Sequence, residues 1–146
     1  MRNLLCSVFT LISMLSIISC KAQKVNSTAD KAVKLSNEWV FEGFFNDELK
    51  LVYDSSKSVE IIISPQENFF TGNTGCNAMR GTLTTEPGGK IKFGYPEALN
   101  KRCANIETEK RLLQLLECVT NYTIEGAILK LYCNEKAVMQ FESYKN

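Results

Sequence analysis

The sequence predicts an α+β domain in which a strongly bent antiparallel sheet packs against one α-helix. The first observation is that most apolar stretches after residue 38 are short, rich in β-branched and aromatic side chains, and separated by turn residues. The second is that residues 107–119 instead carry apolar side chains at helical spacing. The third is that polar and apolar residues alternate from residue 120 onward, as in a terminal meander. We therefore predict a single domain over residues 38–143.

Short strands are predicted along the whole domain, beginning at Trp39 and ending at Phe141. The clearest is 59–63, which is mostly β-branched and is followed by a turn at Pro65. Residues 87–89 (Pro-Gly-Gly) predict a hairpin between two further strands. The predicted strands are 39–41, 49–53, 59–63, 69–71, 82–84 and 91–93, and, after the helix, 120–125, 128–132 and 138–141.

A turn-rich loop is predicted between two of these strands, over residues 72–77 (Gly-Asn-Thr-Gly-Cys-Asn). Glycine permits a positive φ or a close backbone approach, and asparagine bonds to neighbouring backbone groups in turns. Such a loop is either the rim of a ligand site or a tight corner that holds a cysteine, and turn composition favours the corner. The residues that define this signature loop are Gly72, Gly75, Cys76, Asn77 and Gly81.

The helix is predicted from four apolar side chains spaced i, i+3, i+4 and i+7. Asn105 is a suitable N-cap, and Glu107 and Glu109 lie where the helix dipole favours negative charge. Burial of the apolar face would contribute about 1.5–3 kcal/mol for each leucine, so we assign this face to the core. The four residues of the face are Leu112, Leu115, Leu116 and Val119.

The first twenty residues are typical of an export signal. A positive start is followed by an uncharged apolar run over residues 4–18, which is shorter than a membrane span, and then by Ser19 and Cys20. A cysteine after a small residue resembles a bacterial lipobox, which predicts cleavage after residue 19 and lipidation of Cys20. The alternative is an ordinary signal peptide with a chance cysteine. Residues 20–37 are small and polar, and we interpret them as the lipidated cysteine and a flexible tether.

Composition excludes several function classes. Residues 1–19 contain one of the 17 basic residues and none of the 16 acidic ones, so the mature chain has no basic excess for nucleic acid. The chain has no histidine, which removes His-based catalysis and His-based metal sites. CxxC spacing and Gly-rich phosphate loops are also missing from the sequence. We therefore predict no enzymatic activity, no cofactor and no metal.

These motifs together resemble the META domain, also called the HslJ-like family. The resemblance covers roughly residues 39–141: the opening Trp39, the G-x-x-G-C-N-x-x-x-G core of the signature loop, and Cys103 just before the helix. It also includes 119–122, 124–126 and 129–131 after the helix. The resemblance implies a barrel-like antiparallel sheet with one packed helix, found in bacterial envelope lipoproteins, with no enzymatic activity attached to the family.

The cysteines are expected to form disulfide bonds, because export delivers an even number of non-lipidated cysteines to an oxidising compartment. Four cysteines allow three connectivities. The family resemblance places Cys76 and Cys103 together, which leaves Cys118 and Cys133 as the second pair. Cys133 shares strand parity with residues 129 and 131 and would point inward toward the helix. The alternative for this second pair is two buried free thiols.

The function most consistent with these observations is that of a non-enzymatic envelope lipoprotein that binds a protein partner or supports envelope stress tolerance. The sequence after Cys20 lacks an acidic run, which favours the outer membrane facing the periplasm. A second hypothesis is a carrier of a small apolar ligand in a partly open barrel. A thiol enzyme using Cys76 or Cys103 is a third, but it would lack a histidine base. The aromatic residues that could line an apolar cavity are Phe41, Phe44, Phe45, Phe69, Phe70 and Phe93.

Overall fold

The computed structural model describes residues 34–53, 59–99 and 106–144, and within these ranges nine strands form a single sheet against which a helix over residues 106–118 packs. The predicted signal, Cys20 and most of the predicted tether lie outside the described residues. The elements in chain order are β1 (Asn37–Phe45), β2 (Leu51–Tyr53), β3 (Val59–Ser64), β4 (Phe69–Thr74), β5 (Ala78–Glu86), β6 (Lys90–Ala98), α1 (Ile106–Cys118), β7 (Asn121–Glu125), β8 (Ile128–Cys133) and β9 (Lys136–Ser143).

The sheet is antiparallel at every pairing and curves until it meets itself. From β3 to β9 each strand pairs with the next one in the chain, and β1 pairs with both β3 and β9, which makes the sheet ring-like. The weakest junction is between β6 and β7, where the register contains only the pair Lys90 and Asn121. The predicted α+β fold with a strongly bent antiparallel sheet and one packed helix is confirmed, and most of the domain is sheet.

The interior is formed by the inward side of this curved sheet. In β3, Val59, Ile61 and Ile63 are buried, whereas Glu60 and Ile62 between them are not, which is the alternation of a strand with one face in the core. Aromatic side chains fill much of the interior in edge-to-face contact, with ring centroids 4.7–5.2 Å apart. These contacts join Phe41 to Phe44 and Phe141, and Phe70 to Phe93.

The helix faces the core with a stripe that differs from the predicted one at a single position. Leu112, Leu116 and Val119 are buried as predicted, but Leu115 is only partly buried. The buried residue one turn before Leu112 is Glu109, a carboxylate that the spacing argument assigns to the helix dipole. The helix also contacts β1 through Arg111, whose guanidinium carbon lies 4.3 Å from the centre of the Phe44 ring.

The folded part of the chain begins earlier than predicted. Leu35, which the sequence assigns to the tether, is fully buried, and its carbonyl accepts a 3.1 Å hydrogen bond from the Trp39 indole. A buried indole N–H needs such a partner, so Leu35 belongs to the core and not to the tether. Among the described residues, no helix is both long and apolar enough to cross a bilayer.

An exposed ion pair connects the turn after β1 to the start of β9. The Lys136 ammonium donates to Asp47 at 2.9 Å, and this hydrogen bond together with the positive charge lowers the pKa of Asp47 below its usual value. Any stabilisation by this pair is present at neutral pH and is lost as the pH falls through the lowered pKa. Because both side chains are exposed, we expect the contribution to be small.

Candidate functional site

The predicted signature loop is a strand end followed by a tight turn. Gly72 lies in β4, and the turn itself comprises residues 75–77, so the prediction of a loop is wrong for residues 72–74. Gly75 has a φ of 85°, which is the left-handed conformation that glycine adopts without strain. The Thr74 amide donates to the Asn77 carbonyl at 2.8 Å, and the Asn77 amide donates to the Thr74 hydroxyl oxygen at 2.9 Å. These bonds close the corner between β4 and β5.

Gly72 and Gly81 serve a different purpose, which is close packing. A Cβ built at Gly72 would collide with the carbonyl oxygen of Glu60 on the neighbouring strand, and one at Gly81 would lie 2.5 Å from the Phe70 ring. Neither glycine has a positive φ. Gly72 therefore allows the close approach of β3 and β4, and Gly81 leaves room for the Phe70 ring and the Gly94 carbonyl oxygen of β6. Close approach is one of the two roles that the sequence allows.

The turn is joined to the helix by a buried polar cluster of Thr74, Asn77 and Glu109. The Glu109 carboxylate accepts a 2.5 Å hydrogen bond from the Thr74 hydroxyl and bonds of 2.9 and 3.1 Å from the Asn77 side-chain amide. All three residues are buried, and no buried side-chain nitrogen or oxygen in the described part of the chain lacks a hydrogen bond. The cluster therefore fixes the first turn of α1 against the β4–β5 corner, and it supports the corner interpretation of the signature residues.

The structure shows the second predicted disulfide. Cys118 at the end of α1 is bonded to Cys133 at the end of β8, with their Cα atoms 5.4 Å apart, so these residues are not free thiols. Cys76 is also disulfide-bonded. Its partner lies outside the described residues, as does Cys103, so the pairing of Cys76 with Cys103 stays a prediction.

Replacing both Cys118 and Cys133 by serine should lower the free energy of unfolding by about 3 kcal/mol, because the bond joins residues 15 positions apart in the chain. Urea denaturation of the variant and of the wild-type protein under non-reducing conditions measures this difference. The matched control replaces both Cys118 and Cys133 by alanine, which removes the same bond without adding hydroxyl groups; both variants keep the disulfide of Cys76. A variant as stable as the wild type would mean that core packing alone holds residues 118 and 133 together and that the disulfide bond adds no stability.

The outer face of the sheet carries an exposed surface that we call the outer-sheet surface, and it spans β3 to β6. Tyr95 is the most prominent member, with 85% of its area exposed. Arg80 and Glu97 lie between the apolar members, directly opposite each other in the β5–β6 register. Clustered exposure of large apolar groups is a feature by which candidate interaction surfaces are recognised. The surface comprises Ile62, Phe69, Arg80, Tyr95, Glu97 and Leu99.

Two adjoining grooves of about 520 Å³ each lie on this surface and share Thr71, Arg80 and Glu97 in their walls. The first groove is also bounded by the side chains of Phe69, Thr82 and Tyr95, and Gly81 forms part of its lining. The second extends towards the other ends of the strands, and its lining includes Ile62, Gly72, Ala78 and Leu99. Two signature glycines therefore line the grooves.

Three charged side chains lie on this surface: Arg80 and Glu97 in both grooves, and Glu60 in the second groove. The side chains of Arg80 and Glu97 form no ion pair or hydrogen bond within the described ranges, although the two residues are register partners on neighbouring strands. An exposed guanidinium and an exposed carboxylate without an ion-pair partner are available to an incoming molecule of complementary charge.

Tyr95 is held in an unusual backbone conformation. Its φ is 49°, which is rare for a bulky residue, and the β5–β6 register shifts between Arg80 and Thr82, opposite Tyr95. A bulge at this point redirects a side chain out of the regular pleat. Backbone strain under a nearly fully exposed aromatic ring suggests a binding residue, because nothing in the packing of the core needs that ring.

Sequence reasoning misses most of this surface. It places Phe69 among possible cavity-lining residues, and it assigns no role to Arg80, Tyr95 or Glu97. The sequence does contain one sign of this surface, the alternation of inward and outward residues along a strand. Ile62 lies between the inward-facing positions of β3 and must therefore face outward. Most of the aromatic residues proposed to line a ligand cavity instead fill the interior, where they pack against other rings. These are Phe41, Phe44, Phe70 and Phe93.

Comparison with known proteins agrees with this architecture. The META domain family matches residues 33–146. The NMR structure of a protein from Burkholderia xenovorans is similar, with 15% identity over 80% of this chain and 88% of its own and a TM-score of 0.62. A crystal structure of a DUF4847 family protein from Bacteroides vulgatus has 13% identity over 80% of this chain and 99% of its own, with a TM-score of 0.58. At these identities, the two structures show a shared fold alone.

No curated protein sequence matches the chain. The family match instead covers every described strand and the helix, and it includes the signature turn, its glycines and the polar cluster. The chain belongs to the META domain family.

Proposed function

We propose that this protein is a non-enzymatic, lipid-anchored protein of the bacterial envelope whose META domain binds a protein partner through the outer-sheet surface. The observation that carries the proposal is the combination of exposed apolar side chains with an unpaired Arg80 and Glu97 on one face of the described sheet. Apolar and aromatic anchors next to a few charges are the usual composition of a protein-binding surface. A role in envelope stress tolerance is compatible with such binding.

The carrier hypothesis has weaker support. A carrier of one small ligand would enclose an apolar cavity inside the sheet. In this domain the predicted lining residues are mostly packed against each other, and the grooves of the outer-sheet surface are open to solvent. An open groove with charged walls suits a protein side chain better than a buried apolar molecule.

The lipid anchor is tested at Cys20. We expect the mature protein to partition into detergent and to have an intact mass larger than that of residues 20–146 by the mass of the attached lipid. Cys20→Ala should abolish both properties, because the modified thiol is lost. A matched control is Cys6→Ala, which removes a cysteine inside the predicted signal and should leave the mature protein unchanged. A wild-type protein with an unmodified N-terminus would refute the anchor.

Partner binding is tested by site-specific photo-crosslinking in native envelopes. Ile62, on the wall of the second groove, is replaced by benzoylphenylalanine in the full-length protein, and the same replacement at the exposed Glu125 on β7 is the control. We expect protein adducts at position 62, several-fold weaker adducts when Arg80→Glu is added, and few at position 125. Equal adducts at both positions, or none at position 62, would contradict binding through this surface.

A further inference from the structure

We propose that the partner occupying the outer-sheet surface is a second copy of this chain, in a two-fold symmetric dimer. This inference rests on the proposed function, since it names the occupant of the same surface. It starts from charge. Arg80 and Glu97 are neighbours in register, and both lack a partner among the described residues. A surface that contains one unpaired charge of each sign side by side is complementary to itself, as a two-fold interface requires.

The register defines where the symmetry axis must lie. A two-fold axis that runs parallel to β5 and β6, above the outer face of the sheet and midway between the two strands, places β6 of each copy over β5 of the other. Arg80 of each copy then faces Glu97 of the second copy, so two ion pairs form at once. This arrangement has the two sheets face to face, for which the usual separation of about 10 Å leaves room for interdigitating side chains.

The same rotation also matches the shapes of the two surfaces. Tyr95 lies on β6 between the levels of Thr82 and Arg80, so the rotation carries it over the first groove of the second copy. Leu99 lies beside Ala78, whose carbonyl accepts its amide at 3.1 Å, and the rotation carries Leu99 over Ala78 in the second groove. Tyr95 in β6 and Leu99 directly after β6 therefore each meet a depression above β5 of the second copy.

The position of Phe69 also fits this arrangement. Phe69 and Ile62 form the far walls of the first and second groove, respectively. An incoming Tyr95 would contact Phe69. An incoming Leu99, at the level of Ala78, would face Asn73 on β4 and Glu60 on β3. Each copy therefore contributes the Tyr95 ring to the first groove of the other copy and one member of each Arg80–Glu97 pair. The Glu60 carboxylate, which also lines the second groove, takes part in neither contact. A large aromatic anchor set in a pocket is a frequent source of binding energy.

The test uses charge reversal in the full-length lipidated protein, with mass measured by sedimentation equilibrium in density-matched detergent. The wild type should sediment as a dimer. Arg80→Glu or Glu97→Arg alone places like charges in contact, so the dissociation constant should rise at least about tenfold. An equimolar mixture of the two variants should dimerise again. In the mixed dimer one copy presents two carboxylates at positions 80 and 97, and the other copy presents two guanidinium groups opposite them.

One control variant and one further test variant complete the experiment. Lys92→Glu reverses an exposed charge on the same strand but outside the two grooves and should leave the dimer intact. Tyr95→Ala keeps all charges and should also weaken the dimer. The recovery of dimers in the mixture shows in addition that both single variants are folded.

The outcomes separate this inference from the proposed function. A monomeric wild type, an unaffected Arg80→Glu variant, or a mixture that fails to dimerise would overturn the dimer. If photo-crosslinked adducts at position 62 then contain another protein, partner binding through the surface stands without the dimer. If no adduct forms in envelopes either, both proposals fail.

Discussion

Gly72→Ala is expected to destabilise the domain by about 3 kcal/mol or more, the largest effect that we predict for a single methyl group. The added Cβ would collide with the Glu60 carbonyl oxygen and would lie 2.9 Å from the Met79 Cε and 3.0 Å from the Ile61 Cα. Two of these three atoms belong to the backbone of β3, so the clash is not relieved by a side-chain rotation. β3 and β4 must therefore separate. This weakens the backbone hydrogen bonds between the two strands, whose register runs from the pair Val59 and Thr74 to the pair Ser64 and Phe69.

Gly126→Ala is the matched control. Gly126 has a φ of 60°, and nothing lies within 4 Å of the position of its Cβ. The cost there is conformational, about 1–2 kcal/mol for a left-handed residue that gains a side chain. Urea denaturation of both variants measures the difference, and an alanine at position 72 that costs no more than one at position 126 would mean that the two strands are not closely packed.

Glu109→Ala is expected to lower the free energy of unfolding by about 2–4 kcal/mol. The substitution removes the acceptor of the Thr74 hydroxyl and of the Asn77 side-chain amide, and each buried donor left without a partner costs about 1–3 kcal/mol. Thr74 retains a possible acceptor in the Asn77 carbonyl at 3.1 Å, which keeps the expected loss below the full sum. Loss of the carboxylate also disconnects the helix from the β4–β5 corner.

Two further variants, measured by the same urea denaturation, show whether the hydrogen bonds cause this loss. Glu107→Ala, two residues earlier, removes an exposed carboxylate that forms an ion pair with Lys110 and should change stability by less than about 0.5 kcal/mol. Glu109→Gln preserves the shape but presents an NH₂ group where Asn77 needs an acceptor, so we expect an intermediate loss. A glutamine variant as stable as the wild type would show that shape alone matters at this position.

The local elements were predictable because backbone geometry imposes a period on short windows of sequence. Val59, Ile61 and Ile63 alternate with outward residues at the period of a strand, and Leu112 and Leu116 recur at the period of a helix. The bond between Cys118 and Cys133 was predictable because the resemblance left no other pair. Leu115 also packs against the core but is covered less completely than Leu112 and Leu116, because spacing places a residue near the core face without deciding how fully it is covered.

The candidate site was less predictable because its residues are brought together by strand pairing between distant parts of the chain. Arg80 and Glu97 are adjacent only because β5 and β6 are in that register and a bulge shifts them by one residue. A one-residue slip would turn either side chain to the other face of the sheet. The sequence also offers no local sign that Tyr95 adopts a left-handed backbone, because that conformation belongs to the bulge.

The sequence by itself therefore determined the fold class and the family, because these depend on periodicity and motif order. Only the tertiary structure decided which polar groups meet. Asn77 and Glu109 are 32 residues apart, and they form hydrogen bonds because the helix crosses the β4–β5 corner. The pairing of β1 with β9 also depends on the whole domain. It closes the described sheet into a ring, so that one face lines the interior and the other faces outward. The physical reason is that such contacts depend on how separate elements pack, and packing is a property of the whole domain.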